Sequence, residues 1–145
     1  MNVEIVHTPL RIDVYGFSGV AYKKDHVETA FRLSGEMWKA VKSNNLKNKG
    51  INIWVYEDDD LVFAGVELEE IPQPYTPLEQ KSLMLRKYAY YKHVGPYSLI
   101  KQAGLSMQNE LKSRGLETSL PYIERYGHWR DDESKLETEL IMSLK

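Results

Sequence analysis

The sequence predicts an α+β domain: a tandem β-α-β-β repeat with pseudo-twofold symmetry, antiparallel sheets and a ligand groove between the halves. Three observations carry this. "MWKAVKSNNL" (Met37 to Leu46) aligns with "MQNELKSRGL" (Met107 to Leu116) at an offset of 70 (107 − 37). Both copies stop their helix by one device: Asn45 and Gly115, the residues most tolerant of left-handed backbone, each precede a leucine. Each helix is preceded by a strand-like segment and followed by a two-strand ribbon.

The elements follow in order. Ile12–Tyr22 reads as a strand. Val27, Phe31, Ser34, Met37, Trp38 and Val41 fall at three- and four-residue spacing, one face of a helix near Val27–Asn44. Asp25 with Glu28 resembles a capping box at its start. "INIWVYEDDDLVFAGVEL" is a ribbon turning at its acidic "EDDD". "IPQPYTP" (Ile71–Pro77) is a linker. Leu83–His93 is the second leading strand, broken by Gly95-Pro96, after which Ser98 is placed to cap a helix carrying Leu99, Ala103, Met107 and Leu111. A Schellman ending predicts that Leu46 meets Val41 and Leu116 meets Leu111. "YIERYGHWRDDESKLETELIMSL" is the closing ribbon, turning at "RDDESK". The expected organisation is one domain, 1–145, with half-repeats 1–70 and 78–145 joined by linker 71–77.

Composition excludes several function classes. At 145 residues, with 42% hydrophobic and 28% charged side chains, the chain is long enough for one proper core. A net charge of −2 gives no general attraction to nucleic acid or anionic membranes. No cysteine is present, which excludes disulfides and thiolate chemistry, and the four histidines show no paired metal-ligand spacing. No cofactor or metal is expected. With no signal-like or membrane-length apolar run, a cytoplasmic location is expected. Tyrosine dominates the aromatics, ten against three Trp and three Phe, and its apolar ring with a polar tip suits half-buried ligand-lining surfaces.

Strand alternation assigns faces. Ile51, Ile53 and Val55 share one face of the first ribbon and are expected under the helices. Asn52, Trp54 and Tyr56 share the other. The offset puts Trp54 on Glu124 and Tyr56 on Tyr126. In "PYIERYGHW" an acid, Glu124, stands between Tyr122 and Tyr126 on that same face, with His128 beyond. Two readings of Glu124 are open from pattern alone. It is a solvated strand residue paired with Arg125, Arg130 or a helix lysine, or it is the counter-charge of a cation held among aromatic rings. Tyr88, Tyr90 and Tyr91 read equally as ordinary packing, and His93 and His128 as strand-end residues without a nucleophile to serve.

"YAYYKHVGPYSLI", a helix ending "KSRGL", "PYIERY" and the closing "TELIMSL" resemble the GyrI-like small-molecule-binding domain, the effector-binding domain of certain AraC- and MerR-type multidrug regulators. "GVAY", the helix containing Trp38 and "IWVYEDDDLVFAGVEL" are similar to that family's first half. The resemblance implies two β-α-β-β units with a pocket between them. It also implies that Glu124, in the pattern P-x-x-E-x-Y with Pro121 and Tyr126, is the counter-charge for lipophilic cations. With strand phase it puts Trp54, Tyr56, Tyr88, Tyr90, Tyr97, Tyr122 and Tyr126 in the ligand-binding wall. No helix-turn-helix fits the sequence, so the expectation is a stand-alone binding protein with a small-molecule ligand and no direct DNA or membrane contact. Two alternatives stand beside it. One is a hydrolase of cyclopropane-containing genotoxins, with Glu124 activating water and Tyr56 or Tyr126 donating a hydrogen bond. The other is a gyrase-inhibitor-like interaction through the acidic turns with a protein partner.

Overall fold

The computed structural model describes residues 1–71 and 76–145. Residues 72–75 of the expected linker lie outside the described residues. The strands are β1 (Glu4–Val6), β2 (Leu10–Val20), β3 (Asn48–Tyr56), β4 (Leu61–Leu68), β5 (Glu79–Leu85), β6 (Tyr88–Val94), β7 (Thr118–Tyr126) and β8 (Glu137–Leu144). Two helices, α1 (His26–Ser43) and α2 (Ile100–Ser113), follow β2 and β6.

All eight strands join one antiparallel sheet in the order β1-β6-β8-β7-β3-β4-β2-β5. The order is a palindrome of the repeat: β3 and β7, equivalent strands, are hydrogen-bonded neighbours at the centre. Each half therefore has one strand more than expected. The segment Leu83–His93 is two strands divided at Arg86-Lys87, and β1 precedes the segment expected to open the fold. The extra strands cross over: β5 pairs with β2, and β1 pairs with β6. Each half so closes the open edge of the other, leaving fewer unpaired strand groups to solvent.

The helix ends match the repeat. Asp25 accepts a hydrogen bond from the Glu28 N–H at 3.1 Å, so α1 begins on the expected cap. Asn45 (φ 51°) and Gly115 (φ 73°) take the left-handed conformation. Leu46 N–H then donates to Val41 O, and Leu116 N–H to Leu111 O, each at 3.0 Å, the Schellman bond. Ser98 is not a cap. It lies inside a 3-10 turn, Tyr97–Leu99, that leads into α2, and Leu99 is exposed rather than in the core. Gly95-Pro96 fixes this entry, with the buried His93 ring nitrogen Nε2 3.0 Å from Pro96 O.

The helices cover the face of the sheet opposite to the one expected. Ala30 and Leu33 of α1 pack on Trp54, Val62 and Ala64, and Met37 and Val41 on Tyr15 and Val66. Ile100, Met107 and Leu111 of α2 pack on Ala89, Leu140 and Met142. Ile53 and Val55 instead join Ile12, Val14, Phe63, Leu83, Leu85, Ile123 and Ile141 in a cluster that contains no helix residue. Those side chains bury one another across the strands. Gly16 and Gly65, directly opposed in β2 and β4, permit the tight approach: a Cβ on Gly16 would stand 1.9 Å from Ala64 O.

Candidate functional site

α1 and α2 sit on the same face of the sheet and flank the central strands, so a cleft remains between them over β3 and β7. It encloses about 990 Å³ and is open at one side. The floor is the side-chain row of the two central strands, in which Trp54 lies opposite Glu124 and Tyr56 opposite Tyr122. Trp54 is the one residue of β3 in that register whose repeat equivalent, 70 positions on (124 − 54), is also its cross-strand neighbour. The pseudo-twofold axis passes through this pair.

Glu124 is only 7% exposed. Its carboxylate accepts the Tyr122 hydroxyl on Oε2 at 2.8 Å and the Tyr126 hydroxyl on Oε1 at 2.5 Å. Burial raises its pKa above the ordinary carboxylate value, and the two phenol donors oppose that rise. Burial, reinforced by the Glu124 charge, also raises the pKa of Tyr56, Tyr122 and Tyr126, which stay protonated donors. Arg125 does not pair with Glu124, because it points to the sheet's other face and meets Glu139 at 3.1 Å. Among the described residues the acid thus has hydroxyl partners and no cation.

Aromatic rings form the surround. Tyr126 and Trp54 meet edge-to-face with centroids 4.8 Å apart, Phe31 and Trp54 at 5.8 Å, and Tyr97 and Tyr126 at 5.5 Å. Tyr56 and Tyr122 stack at 5.8 Å. Each such pair contributes about 0.5–1.5 kcal/mol beyond its buried area, enough to hold a wall of rings in place. Asn52 Oδ1 accepts from Trp38 Nε1 at 2.6 Å and from Ser34 Oγ at 3.1 Å, tying α1 to β3. Among the described residues, no three His, Cys, Asp or Glu side chains converge as a metal site.

No family model and no curated protein matches the sequence. Solved structures do. The C-terminal domain of EcmrR superposes with a TM-score of 0.73 at 13% identity, over 100% of this chain and 99% of that one. SAV2435 bound to tetraphenylphosphonium gives 0.69 at 16% identity, over 100% and 94%. The chain has the GyrI-like fold. A Listeria innocua protein described as a hydrolase also shares it, with a TM-score of 0.59 at 12% identity over 99% of this chain and 91% of that one.

On this GyrI-like fold, Glu124 and five of the seven residues expected in the wall line the cleft: Trp54, Tyr56, Tyr97, Tyr122 and Tyr126. Tyr88 and Tyr90 do not. They pack against the helix-free cluster on the far face, where the Tyr90 hydroxyl donates to Glu139. The reason is strand phase: the residues of β6 that face α2 are Ala89 and Tyr91. His128 lies outside the wall, beside Gly50.

Several lining residues are not among those expected to bind ligand. Val27 and Phe31 of α1 are 62% and 70% exposed and point into the cleft. The apolar stripe of α1 is in fact two adjacent stripes, Ala30, Leu33, Met37 and Val41 toward the sheet and Val27, Phe31 and Trp38 toward the cavity. A stripe wider than one packing partner requires was the available signal. The 70-residue offset would have found the rest: Val27, Phe31, Ser34, Gly35 and Trp38 line the cleft, and so do Tyr97, Lys101, Gly104, Leu105 and Gln108.

Proposed function

We propose that this protein binds lipophilic cations in the cleft between α1 and α2, with Glu124 as counter-charge and the surrounding rings as an apolar, cation-attracting wall. The observation that carries the reading is the buried Glu124 carboxylate, held by Tyr122 and Tyr126 and without a cationic partner among the described residues. The cavity volume accommodates a drug-sized molecule. Tetraphenylphosphonium, the cation bound to the structurally similar SAV2435, has the required chemistry, a delocalised charge wrapped in rings. Calorimetric titration with tetraphenylphosphonium, beside the uncharged triphenylphosphine oxide, tests it. Binding of the cation, abolished in Glu124→Gln and weak for the neutral compound, is expected. No binding, or equal binding by Glu124→Gln, overturns the reading.

A second reading is hydrolytic. A carboxylate whose pKa is raised by burial suits the role of a proton acceptor or donor, and a structurally similar Listeria innocua protein is described as a hydrolase. Tyr122 and Tyr126 already donate to Glu124, which leaves the Tyr56 hydroxyl to polarise a substrate. Turnover of a cyclopropane-containing genotoxin by the wild type, lost in Glu124→Ala while the compound still binds, supports this. Binding without turnover rules it out.

A further inference from the structure

The two sides of the cleft occupy equivalent positions of the repeat but differ in charge. At the mouth, Phe31 of α1 corresponds to Lys101 of α2, and at the floor Trp54 corresponds to Glu124. Setting His26 aside, whose ring is bonded to Asp60 at 3.0 Å, Lys101 and Glu124 are the charged side chains among the lining residues, and both belong to the second repeat. Lys101 has no ion pair or hydrogen bond among the described residues, unlike Lys49 and Lys81, which meet Glu67 and Glu57 at 2.7 and 2.9 Å. It stands in the first turn of α2, which holds no acidic residue to neutralise it. That is the end of a helix where a cation is least favoured by the backbone. An unpaired lysine there gains nothing from the helix dipole.

We infer that the cleft takes amphoteric aromatic compounds, with a cationic centre over Glu124, an aromatic body against Phe31, Trp38 and Trp54, and a carboxylate or similar anion at Lys101. This rests on the binding reading above and adds a second polar group at the mouth. The floor and the mouth then read opposite charges on one ligand, and the first-repeat side supplies apolar surface to both. Because Lys101 is exposed, its contribution is small and screened by salt.

Rhodamine B and its ethyl ester test this, since they share a cationic ring system and differ in one free carboxylate. Dye anisotropy titrations at low ionic strength should show the free acid bound about threefold more tightly than the ester, the size of a favourable exposed ion pair. Lys101→Met should remove that preference, bringing the acid and the ester to equal affinity, and high salt should remove it in the wild type. Glu124→Gln should weaken both dyes. Equal or weaker binding of the acid by the wild type, or a preference kept in Lys101→Met, overturns the role of Lys101 while leaving cation binding intact. If neither dye binds, or Glu124→Gln weakens neither, the cation reading falls and this inference with it.

Discussion

The two walls of the cleft are built from the same positions of a duplicated sequence and have come to do different work. On the first wall the polar groups satisfy one another: Asn52 Oδ1 takes both the Trp38 indole N–H and the Ser34 hydroxyl, and the surface offered to the cavity is ring and methyl. On the second wall the equivalent positions are Tyr122, Gln108 and Gly104, and the Tyr122 hydroxyl points instead at Glu124. Duplication supplied the shape, and divergence supplied the polarity. Two identical walls would offer any ligand two equivalent poses, whereas an apolar wall facing a charged one selects a single orientation.

The most severe way to break that difference is to make the floor symmetric. Trp54→Glu would set two carboxylates on directly opposed positions of β3 and β7, where like charges repel, and would delete a buried indole. We expect a loss of more than about 4 kcal/mol at neutral pH, with partial recovery on acidification, measured by urea unfolding. Glu124→Gln removes the charge from the second wall. Tetraphenylphosphonium affinity should fall at least about thirtyfold by calorimetry, the scale of a desolvated ionic contact.

The pH dependence sharpens the same point. The folded-state pKa of Glu124 lies above that of the unfolded chain, so the native protein keeps a proton that the unfolded chain has released. The Glu124 contribution to stability is therefore full below the ordinary carboxylate range and is lost as pH rises through the raised value, and Glu124→Gln should not show that component. Cation affinity should move oppositely, rising over the same interval as the carboxylate ionises. Tyr56, Tyr122 and Tyr126 face the acid and stay protonated, while Lys101 and His26 share the cavity. A wild type and variant with superimposable pH–stability curves would show that Glu124 is not desolvated in solution.

Smaller effects belong to the first wall and the helix starts. Phe31→Ala should weaken cation binding by about three- to tenfold, as expected for one lost ring, with only a small fall in melting temperature from the lost Trp54 contact, because the side chain is largely exposed. Asp25→Ala should lower the melting temperature measurably through loss of the α1 cap, whereas Ser98→Ala should leave it unchanged, since α2 starts without a side-chain cap.

Much of this was legible in the residues. The offset of 70 located both helices, the Asn45 and Gly115 endings located their termini, and period-two alternation grouped Trp54 with Tyr56 and Glu124 with its two tyrosines. These are local properties, set by backbone sterics and side-chain direction within a few residues. Tyr88 and Tyr90, by contrast, are strand tyrosines of the same type, and nothing local says that β6 turns them away from α2. Alternation states which residues share a face but not which layer covers it. That depends on how β1 and β5 exchange between halves and how closely β2 and β4 approach at Gly16 and Gly65. Sequence by itself thus determined the repeat, the elements and an acid among aromatic neighbours. Only the tertiary structure decided that helices flank that acid, that the aliphatic face forms a cluster without helix residues, and that Phe31 and Lys101 line one cleft, because those outcomes arise from contacts between residues far apart in the chain.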